Sequence, residues 1–83
     1  MKRMVLNIQP FIIDQTIEFY DEDGIKSIKV PLEKVVEEIS CRYKNEGYTQ
    51  LDLAGNRQYT EKIKRDLTDV SKFGKLDLNI TIH

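Results

Sequence analysis

Eighty-three residues, 40% hydrophobic and 33% charged, suffice for one packed core and are too few to enclose a deep substrate cavity. The formal charge of −1 divides into −3 over residues 1–55 (seven Lys/Arg, ten Asp/Glu) and +2 over residues 56–83 (six and four), so neither part has the basic excess that bulk binding to nucleic acid requires. The lone Cys41 excludes an internal disulfide, and no run approaches the roughly 20 apolar residues of a membrane span. Met1-Lys2-Arg3 has the charge of a leader, but Asn7, Gln9 and Pro10 break the apolar run that should follow, so the expected location is cytoplasmic.

From the first residues onward, Met4 to Gln9 alternates, with Leu6 and Ile8 on one side and Asn7 and Gln9 on the other; this predicts a first strand ended by Pro10. Thr16 to Tyr20 reads as a second strand, with Ile17 and Phe19 facing one way. Asp21-Glu22-Asp23-Gly24 then supplies a hairpin turn, because Gly accepts positive φ without steric cost. Ile25 to Val30 returns as the third strand. Pro31 suits a helix start, and Leu32, Val35, Val36, Ile39 and Tyr43 form one helical stripe that stops at Asn45-Glu46-Gly47. Thr49, Leu51 and Leu53 alternate as a fourth strand. Gly55-Asn56 turns the chain, and Tyr59, Ile63, Leu67 and Val70 mark a second helix ending near Phe73-Gly74. Finally Leu76, Leu78, Ile80 and Ile82 alternate with polar residues, which predicts a closing strand with one buried and one wet face.

The order is therefore β-β-β-α-β-α-β: an antiparallel meander followed by two strands that each return through a helix and lie parallel to the first. This succession resembles the core of the ribonuclease H-like fold, which also underlies the actin-like ATPases. The resemblance implies a two-layer α/β (α+β) domain over residues 1–83, with a five-stranded mixed sheet in the order 3-2-1-4-5 and two helices on one face. Gln50-Leu51-Asp52-Leu53-Ala54-Gly55, with Tyr59 after it, is also similar to short proteins of phages and prophages of Gram-positive bacteria.

A nuclease of the ribonuclease H-like type needs an acid in the first strand, a Glu on the first helix and an Asp at the end of the fourth strand, which together hold two Mg²⁺ ions. Asp52 matches the last of these approximately and Glu37 or Glu38 the second, but the first strand offers only Asn7 and Gln9. The actin-like phosphate hairpin needs a Gly-containing turn, and Pro10-Phe11-Ile12-Ile13-Asp14-Gln15 has none. Asp21-Glu22-Asp23-Gly24 lacks the twelfth-position Glu of a calcium loop, since position 32 is Leu. Cys41 has no nearby His and is expected to be a small, half-buried core residue. No metal or cofactor set is complete.

Two readings stay open for Gly55-Asn56-Arg57: a plain strand-to-helix turn with an Asn cap, or helix N–H groups and Arg57 seating a phosphate or carboxylate. Lys62, Lys64, Arg65, Lys72 and Lys75 give the second helix a basic cast, interrupted by Glu61, Asp66 and Asp69. With both helices roofing the apolar side, the other face is expected to present Asn7, Gln9, Glu18, Tyr20, Lys29, Gln50, Asp52, Asp77, Asn79 and Thr81 to solvent or to a partner. The expected function is a non-enzymatic protein-interaction module, an accessory or regulatory protein of a phage or mobile element. It would act through a protein partner or through self-association as a homodimer, with Tyr20, Gly55, Asn56, Arg57 and Asn79 as the binding residues. A minimal or degenerate ribonuclease H-like nuclease, and a weak nucleic-acid binder using the second helix, are the alternatives.

Overall fold

Alternation at the start of the chain puts Met4, Leu6 and Ile8 on one side of a strand, and the computed structural model, which describes residues 2–69, 74 and 76–83, buries all three completely. They belong to β1 (Arg3–Ile8), which is followed by β2 (Asp14–Asp21) and β3 (Gly24–Pro31). A 3₁₀ turn (Leu32–Lys34) leads into α1 (Val35–Glu46); then come β4 (Gln50–Gly55), α2 (Arg57–Thr68) and β5 (Asn79–Ile82). The sheet order is β3-β2-β1-β4-β5, as the topology implied. β1 pairs antiparallel with β2 and parallel with β4, and β4 pairs parallel with β5.

The core lies between the sheet and the two helices. Ile17 and Phe19 of β2, Val30 of β3 and Leu51 and Leu53 of β4 meet Val35 and Ile39 of α1 and Ile63 and Leu67 of α2. Tyr48 is buried beside them, with its ring edge on Phe19 at 5.2 Å and its hydroxyl donating to Asp21 at 3.2 Å. The Arg42 guanidinium lies 4.6 Å over the Phe19 ring and is fixed by Glu38 at 2.9 Å and Glu46 at 2.8 Å. No helix among the described residues is long and apolar enough to cross a membrane.

Several sequence expectations are corrected at their edges. The first helix opens with the 3₁₀ turn, so regular α-helix starts at Val35. The closing strand pairs only from Asn79, where the ladder begins with the Asn79 N–H donating to the Thr49 carbonyl at 2.8 Å; Leu76 and Leu78 still pack on the core. Asp77 leaves the bare sheet face, its N–H donating to the Tyr43 hydroxyl at 3.0 Å. Gln9 lies in a turn beyond β1. Cys41 is exposed rather than half-buried, because the buried side of α1 runs through Val35, Ile39 and Ser40. Val70 and Phe73, expected in the second helix, and Lys72 and Lys75 lie outside the described residues.

One glycine is required by packing. Gly55 ends β4 opposite Ile8 with φ +99°, and a Cβ there would sit 2.3 Å from the Ile8 carbonyl oxygen and 2.7 Å from its nitrogen. Gly47, which caps α1 with φ +78°, has open space around the same position. Gly55→Ala is therefore expected to cost about 3 kcal/mol or more, and Gly47→Ala only about 1 kcal/mol, in urea denaturation. Equal losses would show that the β1–β4 approach is not the constraint.

Candidate functional site

On the face turned away from the helices, odd-numbered β1 residues meet even-numbered residues of the neighbouring strands. Arg3 stands opposite Tyr20 and Gln50, Val5 opposite Glu18 and Asp52, and Asn7 opposite Ala54. The Arg3 guanidinium lies 4.6 Å over the Tyr20 ring and donates from Nη1 to Asp52 Oδ2 at 3.2 Å. Gln50 Nε2 donates to Asp52 Oδ1 at 2.9 Å and to Thr81 Oγ1 at 3.1 Å, while Asn79 Nδ2 donates to Gln50 Oε1 at 2.7 Å. His83 brings Nε2 within 3.5 Å of Asp52 Oδ1. Two of the expected binding residues, Tyr20 and Asn79, are thus the ends of one polar chain that crosses four strands.

Asp52 is the centre of that chain, with its side chain 15% exposed. Burial pushes its carboxyl pKa up, but hydrogen bonds from Gln50, His83 and Arg3 outweigh this and hold it below the usual 3.8. A nuclease would need further carboxylates beside it. Glu37 and Glu38 instead sit on the roofing helix, paired with Lys34 at 3.6 Å and Arg42 at 2.9 Å, on the opposite side of the sheet. No cluster of three metal-ligating His, Cys, Asp or Glu side chains occurs among the described residues.

Gly55, Asn56 and Arg57 do not join Tyr20 and Asn79. They form the β4–α2 turn, in which Asn56 Oδ1 accepts the Tyr59 N–H at 3.2 Å and the Asn56 N–H donates to the Ile8 carbonyl at 3.1 Å. Arg57 projects into solvent and reaches Glu61 at 3.7 Å. Capping geometry accounts for this turn.

A different surface emerges at the same end of the sheet, in the β1–β2 loop. Phe11 is 98% exposed and Ile13 82%, with Ile12 between them at 49%. The loop is clamped from below by Gln15, a buried polar residue. Gln15 Oε1 accepts the Gln9 N–H at 2.9 Å, and its Nε2 donates to the carbonyls of Gln9 at 2.7 Å and Ile12 at 2.8 Å. The Ile12 N–H closes the turn onto the Gln9 carbonyl at 3.2 Å. The Leu32 N–H, donating to the Ile13 carbonyl at 3.1 Å, joins the loop to the start of the first helix. There a groove of about 610 Å³ opens between α1 and α2, walled by Leu32, Val36, Tyr59 and Ile63 and rimmed by Glu33, Glu37, Lys62 and Asp66.

Phe11, Ile12 and Ile13 are not among the binding residues expected from sequence. The available signal was three consecutive large apolar residues between two strands, just after a proline, where turn chemistry favours polar residues. Neither a protein-family model nor a curated protein matches the chain.

The ionised form of Asp52 supplies stability in full above its unfolded value of 3.8, and that stability is withdrawn as pH falls through the still lower folded value. Asp52→Asn should thus cost about 1 kcal/mol at neutral pH, with the difference from wild type shrinking as pH falls below 3.8 and through the lower folded value in acid titrations of stability. Gln15→Leu removes three hydrogen bonds from the loop and is expected to destabilise by about 2 kcal/mol, with faster amide exchange at Gln9 and Ile12. Unchanged exchange there would show that Gln15 does not hold the turn.

Proposed function

We propose that this protein is a non-enzymatic protein-interaction module, an accessory or regulatory component of a phage or mobile element acting in the cytoplasm. The observation that carries the reading is the β1–β2 loop, which presents Phe11 and Ile13 almost fully to water on a backbone fixed by a buried side chain. Exposure of each residue forgoes about 1.5–3 kcal/mol that burial would return. A partner that covers them recovers this energy without first having to order the loop.

The polar face supports a lesser role. Its Arg3, Gln50, Asp52 and Asn79 side chains satisfy one another, so a ligand there would displace internal hydrogen bonds before making its own. For a metal-dependent nuclease, Asp52 and the helix acids would have to converge, and they lie on opposite sides of the sheet. A nucleic-acid role for α2 has Lys62, Lys64 and Arg65 exposed along it, but they are interspersed with acidic groups.

Affinity capture with chemical cross-linking, in the organism that encodes the chain, tests the reading. Wild type is expected to retain a protein partner, and Phe11→Asp and Ile13→Asp to lose it by at least about tenfold, while Tyr20→Ala and Asn79→Ala retain it. Capture that survives both loop substitutions would move the interaction elsewhere on the surface.

A further inference from the structure

We infer that the groove between α1 and α2 seats a basic amphipathic helix of a partner protein, with its apolar side on Leu32, Val36, Tyr59 and Ile63 and its Lys or Arg side chains against Glu33 and Glu37. The inference rests on the interaction-module reading above and names the chemistry of the partner.

The walls set the shape of the occupant. Leu32 and Val36 stand four residues apart on one side of the groove, and Tyr59 and Ile63 four apart on the other. Two such pairs, one from each helix, form the kind of hole that receives a side chain of a third helix. Leu32, Val36 and Tyr59 are only half-buried, packed on the core from below and open to the groove above. An extended segment would need a backbone ladder to join, and here both walls are helical, with their N–H and C=O groups bonded within the helices. A helical occupant arrives with its own backbone satisfied.

The rim sets the charge. Glu33 and Glu37 follow Leu32 and Val36 by one position each and line the α1 side as an exposed acidic row. Asp66 and Lys62 line the α2 side, so the described lining residues hold three acids and one base. Glu37 lies 3.6 Å from Lys34, but both side chains are well exposed, and a surface pair of that kind yields readily to a competing cation. A basic row on the occupant therefore meets a complementary potential along α1, whereas an acidic helix, a nucleic acid or an anionic lipid surface is repelled there.

A second copy does not suit the site. A two-fold contact at the groove would set one acidic row near the other. Nor does the chain have a described helix to insert, since α1 buries its apolar side through Val35 and Ile39 and α2 through Ile63 and Leu67.

Fluorescence anisotropy on the full chain tests the inference, with a designed helical peptide of ~18 residues that carries leucine at i, i+3, i+4 and i+7 and lysine elsewhere. Two controls replace every lysine by glutamate, or scramble the order at the same composition. The basic amphipathic peptide is expected to bind saturably, one per chain, and at least ~10-fold more tightly than either control. Glu33→Lys combined with Glu37→Lys is expected to weaken it by ~10-fold or more and to tighten the glutamate peptide, with circular dichroism unchanged. Val36→Ser, in the wall, weakens the basic peptide without any change of charge. Absence of saturable binding, equal binding of the scrambled peptide, or indifference to the charge reversal overturns the inference. Any of these together with Phe11-dependent capture of a native partner leaves the interaction-module reading intact. Groove binding in a protein whose native capture survives both loop substitutions upholds the inference and removes the loop from the interface.

Discussion

The central position of β1 governs the rest of the structure, because it joins the antiparallel meander to the parallel β4 and its period-two alternation divides the molecule into faces. Met4, Leu6 and Ile8 take one side and are sealed beneath the helices, so Arg3, Val5 and Asn7 must take the other. A slip of one residue would exchange the two sets. The parallel contact with β4 is pinned at its end, where the backbone of Gly55 comes so close to Ile8 that no side chain fits. That closure also decides which turns share an end. The chain leaving β1 after Ile8, the chain leaving β4 after Gly55 and the chain entering α1 after Pro31 emerge together, and this is how an apolar loop comes to stand beside the mouth of an interhelical groove.

Much of this was legible because burial on one side leaves a periodic trace. The alternation in β1 and β4 and the stripe of Leu32, Val35, Val36 and Ile39 were enough to give the element order, and the order to give the sheet. What escaped reading had physical causes. Cys41 lies two residues from Ile39, about 200° around the helix, so its own spacing placed it off the buried stripe; the general tendency of cysteine to be buried was the weaker guide. Leu76 and Leu78 alternate with Ile80 and Ile82 and do pack on the core, but alternation records burial and not ladder pairing, which begins only at Asn79. Gln15 was invisible for the opposite reason. It is a polar residue at a core-facing position, and its burial makes sense only once its three backbone partners in a neighbouring loop are in place.

Among the sites expected from sequence, Tyr20 and Asn79 belong to a common polar chain, whereas Gly55, Asn56 and Arg57 form a turn explained by packing and capping. Both groups are internally satisfied. In the polar chain the Arg3 charge meets Asp52 and the Tyr20 ring, and the Gln50 amide is spent on Asp52, Thr81 and Asn79. Such a surface is well suited to remaining wet, since water competes poorly with contacts already made and a ligand gains little by replacing them. Phe11 and Ile13 are in the reverse condition. Among the described residues nothing covers them, and the gain from covering them is undiminished by any contact that must first be broken.

Exposure alone does not distinguish the β1–β2 loop, since the β2–β3 hairpin is exposed at the other end of the same sheet. The difference lies in how each turn meets water. In the hairpin, Glu22, Asp23 and Gly24 supply charge and positive φ, and Asp21 Oδ1 accepts the Asp23 N–H at 2.8 Å, so the turn is stabilised by its own polar residues. The β1–β2 loop has no such residues at its tip and needs Gln15 to satisfy it from the core. A buried glutamine is an expensive way to hold a turn when a polar tip would do the same from the surface. Its cost is offset only if the tip must be apolar and its backbone must already be ordered when a partner arrives. Preorganisation of this kind converts exposed hydrophobic area into binding free energy with little loss to ordering, which is why the clamp and the bare side chains above it are best understood as parts of one surface.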